Sequence, residues 1–276
     1  MRKFVIIVFL ILSWLCIYAQ LKYTPVGTYK GETAQGMAIW KDTAYLFSNG
    51  GACRVYDLKT STVQREFLLS TADKYNHTNA ATFGLEVGDN GIPVLYITEG
   101  GRKTRCFVED ISTSRPVLLQ TIEAYRNNKS FATHVWTVDR DNGWLYGISR
   151  KGSNKATIST PHTITRYRLP KLSEGRNIVL SEKDILDEFI ISFVNLLQGA
   201  KVIQNKMFIV TGLQESLRNR PDSQRALFVI DTKKHSLKEV RDLTYVTTNE
   251  PEDLDFYKGK ILMYTGQEGG LYELKK

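Results

Sequence analysis

Short apolar runs, broken by Gly-rich or polar turns, recur along this chain and favour the two-residue alternation of strands over the period of a helix. Each copy reads as a strand, a turn, a strand rich in Leu and Tyr, a polar loop, and a strand ending in an acidic or polar residue. The first copy runs from Gly36 through Trp40, Ala44 to Ser48, the loop Asn49-Gly50-Gly51, and Cys53 to Leu58. Later copies are anchored on Leu95-Tyr96-Ile97 with Cys106 to Ile111, and on Leu145-Tyr146-Gly147 with Ile164 to Leu169. The last two are anchored on Met207-Phe208-Ile209 with Leu227 to Thr232, and on Ile261-Leu262-Met263 with Leu271 to Leu274. A repeat built only of short strands is the mark of a propeller blade. Five copies predict an all-β, five-bladed β-propeller.

Fourth, outer strands fit Thr62 to Leu69, Pro116 to Glu123, Asn177 to Leu180 and Ser236 to Leu243. The last copy stops after Leu274 with three strands of its own, which leaves an open edge that invites aggregation. Leu21 to Tyr29 alternates apolar and polar residues and is predicted to supply the missing outer strand, closing the ring. Two stretches interrupt the pattern, Arg150 to Thr163 and Gln214 to Arg225, and both are expected to be loops on one face. Ser181 and Asp184 stand at capping-box spacing ahead of Ile185, Leu186, Phe189 and Ile190, which predicts a short helical turn.

Arg2 and Lys3, an apolar run from Phe4 to Leu12, and the ending Ile17-Tyr18-Ala19 predict a secretory signal peptide over residues 1–19. Cleavage after Ala19 would leave 20–276 as a single propeller domain, secreted or periplasmic, with no stable membrane span. Lipidation at Cys16 is disfavoured by Leu15, where a lipoprotein signal needs a small residue, and the run is short for a spanning helix of roughly 20 residues. The two remaining cysteines, Cys53 and Cys106, hold the same place in consecutive blades. Matching positions in neighbouring blades should exceed the roughly 7 Å limit for a disulfide, so both are expected to be buried thiols. A monomer is expected.

In an up-and-down blade, the segment entering the inner strand and the loop between the second and third strands open on the same face. The entering segments offer Gln35, His77, Asn79, His134, Gln198 and Glu252; the loops offer Asn49, Glu99, Arg102, Arg150 and Gln267. These residues are expected to meet at one mouth of the central channel as a binding site. His77 and His134 with Glu252 form a candidate acid/base set, or a two-His, one-carboxylate metal site, although no short His spacing fixes a metal and none is assigned. No cofactor is indicated. Of the carboxylates that glycoside cleavage would require, only Glu252, Asp253 and Glu99 are expected to point into the mouth.

The chain of 276 residues carries a net charge of +8, and Arg102, Lys103, Arg105, Arg150, Lys151, Lys155, Arg218 and Arg220 fall in loops of that mouth. A basic rim would steer an anionic ligand. Nucleic acid does not fit, since no aromatic platform is interleaved with the charges.

The phrases Ala34-Gln35-Gly36-Met37, Asn49 to Leu58, Arg105 to Glu109 and Glu250-Pro251-Glu252-Asp253-Leu254-Asp255 resemble a family of secreted propeller proteins of Bacteroidetes, some labelled neuraminidase-like. The resemblance spans nearly all of the chain behind the leader and implies a glycan as the ligand class. The neuraminidase label implies fold more than activity: Asp139 to Trp144 is a lone, imperfect counterpart of a sialidase aspartate box. Two functions are expected from these features, a glycan-binding propeller and a glycoside hydrolase or lyase using Glu252 with His77 or His134. A protein-interaction scaffold is the third.

Overall fold

The computed structural model describes residues 22–74, 76–100, 104–151, 159–194, 196–213, 224–266 and 268–274. They form five sheets arranged as the blades of a five-bladed β-propeller. From the channel outward, blade one comprises Ala34–Trp40, Thr43–Ser48, Ala52–Asp57 and Thr62–Leu68. Blade two comprises Ala80–Val87, Pro93–Thr98, Cys106–Asp110 and Val117–Arg126, and blade three Val135–Asp139, Trp144–Arg150, Thr160–Arg168 and Ile185–Phe193. Blade four comprises Leu197–Ile203, Lys206–Thr211, Ala226–Asp231 and Ser236–Asp242. Blade five has Pro251–Tyr257, Lys260–Thr265 and Gly270–Leu274, and its fourth strand is Lys22–Pro25 from the other end of the chain. That strand runs antiparallel to Gly270–Leu274, pairing Lys22 with Glu273 and Pro25 with Gly270. The ring is closed as its alternation predicts. Among the described residues no helix is long and apolar enough to cross a membrane.

Apolar residues collect into five clusters, one in each gap between successive blades. Phe47 and Val55 of blade one meet Phe83, Leu95 and Ile97 of blade two, for example, and Val210 and Leu227 of blade four meet Leu254 and Met263 of blade five. Each fully buried Leu, Ile or Phe stabilises by about 1.5–3 kcal/mol, so the blades are held face to face by neighbours. Cys53 belongs to the gap between blades one and two, Cys106 to the gap between two and three. Both are free buried thiols whose pKa burial pushes up.

Blade three departs from the expected pattern. Asn177–Leu180, expected as its outer strand, instead lies parallel to Val117–Arg126 and widens blade two. Gln120 explains the diversion: its buried amide donates to the carbonyls of Lys171 at 3.1 Å and Gly175 at 2.8 Å, steering the chain onto blade two. The turn at Glu182–Asp184 forms, with Asp184 accepting from the Ser181 amide at 2.8 Å, but the residues behind it do not continue as helix. Ile185–Phe193 is the outer strand of blade three, with Phe189 and Phe193 buried and Leu186 and Ile190 outward. Its spacing fits both periods, and pairing with Thr160–Arg168 decides for the strand. That partner starts earlier than expected and takes in His162, whose ring stacks on Phe193 at 3.8 Å.

The inner strand of every blade is an edge, so its outward N–H and C=O groups need partners in the channel. Lys201 of blade four and Asp253 of blade five, both buried, meet there at 3.2 Å. Lys201 Nζ also donates to the carbonyls of Met37, at 2.8 Å, and Ala81. Asp253 Oδ2 accepts the Met37 and Ala81 amides at 2.9 and 3.1 Å. One ion pair thereby ties the inner edges of blades one, two, four and five. Gly199 lets it form, because a Cβ there would collide with the Asp253 carboxylate.

Asp253→Ala would leave a buried ammonium without its counter-ion and two amides without an acceptor, so a loss of about 3–5 kcal/mol is expected. Lys59→Ala, which breaks the exposed 2.6 Å pair with Asp42, should change stability by less than about 1 kcal/mol. Urea denaturation of the two variants checks this; equal losses would contradict the role given to the channel pair.

Candidate functional site

Three inner strands share a β-bulge at one place. In blade one the register passes from Ala34 opposite Ser48 to Met37 opposite Leu46, so Gln35-Gly36 faces a single residue. The same slip occurs at Gln198-Gly199 in blade four, and Glu252 is the extra residue in blade five. Bulges interrupt a ladder and re-aim side chains. Gly36 is needed at its bulge: its amide donates to Thr78 O at 2.9 Å, and a Cβ would sit 2.7 Å from that oxygen. Blades two and three have no bulge here and present Asn79 and His134.

Hydrogen bonds draw these positions together. Asn79 Nδ2 donates to the carbonyls of Gln198 at 3.1 Å and His134 at 3.4 Å, crossing the channel from blade two. Gln198 Nε2 donates to Glu250 Oε1 at 2.5 Å and to Gly212 O at 3.3 Å. Asn49 Oδ1 lies 3.1 Å from His77 Nδ1, and a Cβ on Gly100 would meet both His77 and Asn79. Gln35, Asn79, Gln198 and Glu252 are all buried.

Thr78, between His77 and Asn79, has φ +33° although its side chain is β-branched and fully buried. Such a conformation costs of the order of 1–3 kcal/mol and persists where surrounding contacts enforce it. Here the enforced contact is Thr78 O on Gly36 N. The Thr78 hydroxyl, Gln35 Oε1 and His134 Nδ1 are buried with no hydrogen-bond partner among the described residues.

Burial, with the Glu250 and Asp253 carboxylates nearby, holds the Glu252 carboxyl well above its ordinary range, so it stays protonated where exposed carboxylates are ionised. Burial also pulls the imidazole pKa of His77 below its usual value. His134, whose amide donates to Ile148 O on the strand that ends at Arg150, is lowered by burial and then by the Arg150 guanidinium. A protonated carboxyl can both donate and accept hydrogen bonds with a neutral polar molecule, and it has the state required of a general acid. His77, His134 and Glu252 do not form a cluster able to hold a metal ion, nor does any other group of His, Cys, Asp and Glu among the described residues.

Other expected members are placed differently. Glu99 is committed to Arg105, with contacts of 2.7 and 3.1 Å, so neither adds a net charge to the rim. Asp253 is sealed in the channel pair and does not open into the mouth. Arg102 and Gln267 lie outside the described residues, as do Lys103, Lys155, Arg218, Arg220 and the leader with Cys16. Lys201 escaped the sequence reading. Its signal was a lysine inside an apolar inner strand, at the position held by Ala38, Thr82 and Thr137 in three other copies.

No family model matches the sequence, and no curated protein matches it. Among solved structures the chain is similar to the glutaminyl cyclase of Myxococcus xanthus, with 14% identity, 91% of this chain and 93% of that chain covered, and a TM-score of 0.54. It is also similar to hydrazine synthase of Kuenenia stuttgartiensis, at 10% identity, 83% and 61% coverage and a TM-score of 0.39. The computationally designed Ika8 protein matches at 9% identity, 90% and 97% coverage and a TM-score of 0.42. The cyclase shares the fold with this chain, and at that identity the likeness extends no further.

The raised Glu252 carboxyl sets a pH signature. Its folded pKa lies above the unfolded value of about 4.3, so the folded state holds the extra proton and stability falls as pH rises past the unfolded value. Glu252→Gln cannot titrate, and its stability relative to the unchanged protein should climb between about pH 4 and pH 8. Urea midpoints across that range check it; a constant difference would contradict the placement of Glu252.

Proposed function

We propose that the protein binds a glycan at the channel mouth formed by Gln35, Asn79, His134, Gln198 and Glu252. One observation carries the reading: amide, hydroxyl and imidazole atoms of Gln35, Thr78 and His134 are buried there without partners among the described residues, beside a strained backbone. Unsatisfied buried polar groups cost about 1–3 kcal/mol each, a cost that a ligand rich in hydroxyls removes. Sugar hydroxyls both donate and accept, as Gln, Asn, Thr and protonated Glu do. Arg150, at the end of the strand that pairs with the His134 amide, favours a ligand with an anionic group such as a uronate or sulfate on that side. The leader of residues 1–19 would place this activity in the periplasm or outside the cell, and the protein acts as a monomer.

A second reading is favoured by Glu252. A carboxyl kept protonated at the mouth has the state of a general acid, and with His134 or His77 as base it would serve a glycoside hydrolase or lyase.

A glycan array followed by calorimetry on the hits tests both. Anionic glycans should bind, Gln35→Ala and His134→Ala should weaken binding by about tenfold or more, and Arg150→Ala should lower affinity and flatten its salt dependence. Glu252→Gln should keep binding; if wild-type protein also turns the hits over and this variant loses about 100-fold or more, the hydrolase or lyase reading stands. Absence of any glycan hit removes both.

A further inference from the structure

On the far side of the Lys201–Asp253 pair, at the other mouth of the channel, lies a cavity of about 210 Å3 that every blade helps to line. Ile39, Phe83, Val138, Val202 and Phe256 give it an apolar wall. Its volume is below the roughly 300–1,000 Å3 of pockets for drug-sized ligands, so its occupant is small.

Two opposite charges face this space. Asp255 is anchored by the amides of Ile39 and Phe256, each at 2.7 Å, which take one lone pair from each carboxylate oxygen and leave the others. Arg140 stands at the rim with Nε donating to Gly84 O at 3.0 Å and its guanidinium 4.8 Å over the Trp40 ring. Its two Nη groups make no hydrogen bond among the described residues, so the two-pronged end that matches a carboxylate is unspent. Lys201 also borders the cavity, but its ammonium is satisfied by Met37, Ala81 and Asp253. Asp141, the other acid of the lining, accepts the Gln204 amide at 2.9 Å on the rim. Burial disfavours the charged forms of both Asp255 and Arg140.

A ligand with only a carboxylate would pair with Arg140 and be repelled by Asp255. One with only an amine meets the reverse. We infer that this cavity binds a small zwitterion with an apolar body, the chemistry of a free apolar α-amino acid, its carboxylate on Arg140, its ammonium on Asp255 and its side chain against the Ile39, Val138 and Phe256 wall. The inference is independent of the glycan reading, because the ion pair separates the two mouths.

Calorimetry of the full-length protein against the standard free amino acids tests it, with leucinamide and N-acetyl-leucine as single-charge controls. An apolar amino acid should bind, and each single-charge analogue should bind at least about tenfold more weakly. Arg140→Gln, at an exposed rim position, should weaken binding at least tenfold, and Gln35→Ala at the opposite mouth should leave it unchanged. Binding of no amino acid overturns the proposal. So does N-acetyl-leucine binding as tightly as leucine, or an Arg140→Gln variant of unaltered affinity.

Discussion

Five sheets meeting at an axis create a problem that no single sheet has: five edge strands bring unpaired amides and carbonyls into one narrow space. The Lys201–Asp253 pair resolves much of it, because an ammonium donates three hydrogen bonds and a carboxylate accepts several, so two side chains reach the edges of four blades. Burying two charges is costly, and their mutual attraction seldom repays it alone. Here the additional partners are backbone groups that would otherwise be orphaned. Burial pushes the Asp253 carboxyl up to about 6, against the pull of Lys201 and of the Met37, Ala81 and Leu254 amides. Asp255 repeats the device two residues on, with its carboxylate on Ile39 N.

The same pair divides the channel. On one side the bulges at Gln35-Gly36, Gln198-Gly199 and Glu252 present neutral donors and acceptors; on the other, the later parts of the inner strands present an apolar wall with Arg140 and Asp255. Sequence position within the inner strand selects the mouth. The first residues of each repeat serve the bulged side and the last serve the other.

The blades were legible because each is a local event, a run of alternating residues between turn signals. Closure by Lys22–Pro25 was legible from the missing fourth strand of the last copy. Assignment of Asn177–Leu180 failed because local pattern identifies a strand but not its partner; the buried Gln120 amide made that choice from another blade. The shared bulge position had a sequence sign in the recurring Gln35-Gly36 and Gln198-Gly199 and in Glu252. Commitments of charge were not: Glu99 is spent on Arg105 and Asp253 on Lys201, and both pairings need the third dimension. Thr78 gives no sequence sign of its left-handed backbone, which follows from Gly36 approaching its carbonyl.

Pairing Lys22 with Glu273 joins the first and the last strand among the described residues. Loop-closure entropy rises only as the logarithm of length, so the pairing costs little more at equilibrium than a shorter loop would. Kinetically the cost is larger, because folding slows as contacts become more remote in sequence. During synthesis the closing strand Lys22–Pro25 emerges well before its partner Gly270–Leu274. Lys22–Pro25 therefore remains without its partner until Gly270–Leu274 has been made, and this is the interval in which a chaperone or a second unfinished ring would find a strand to bind.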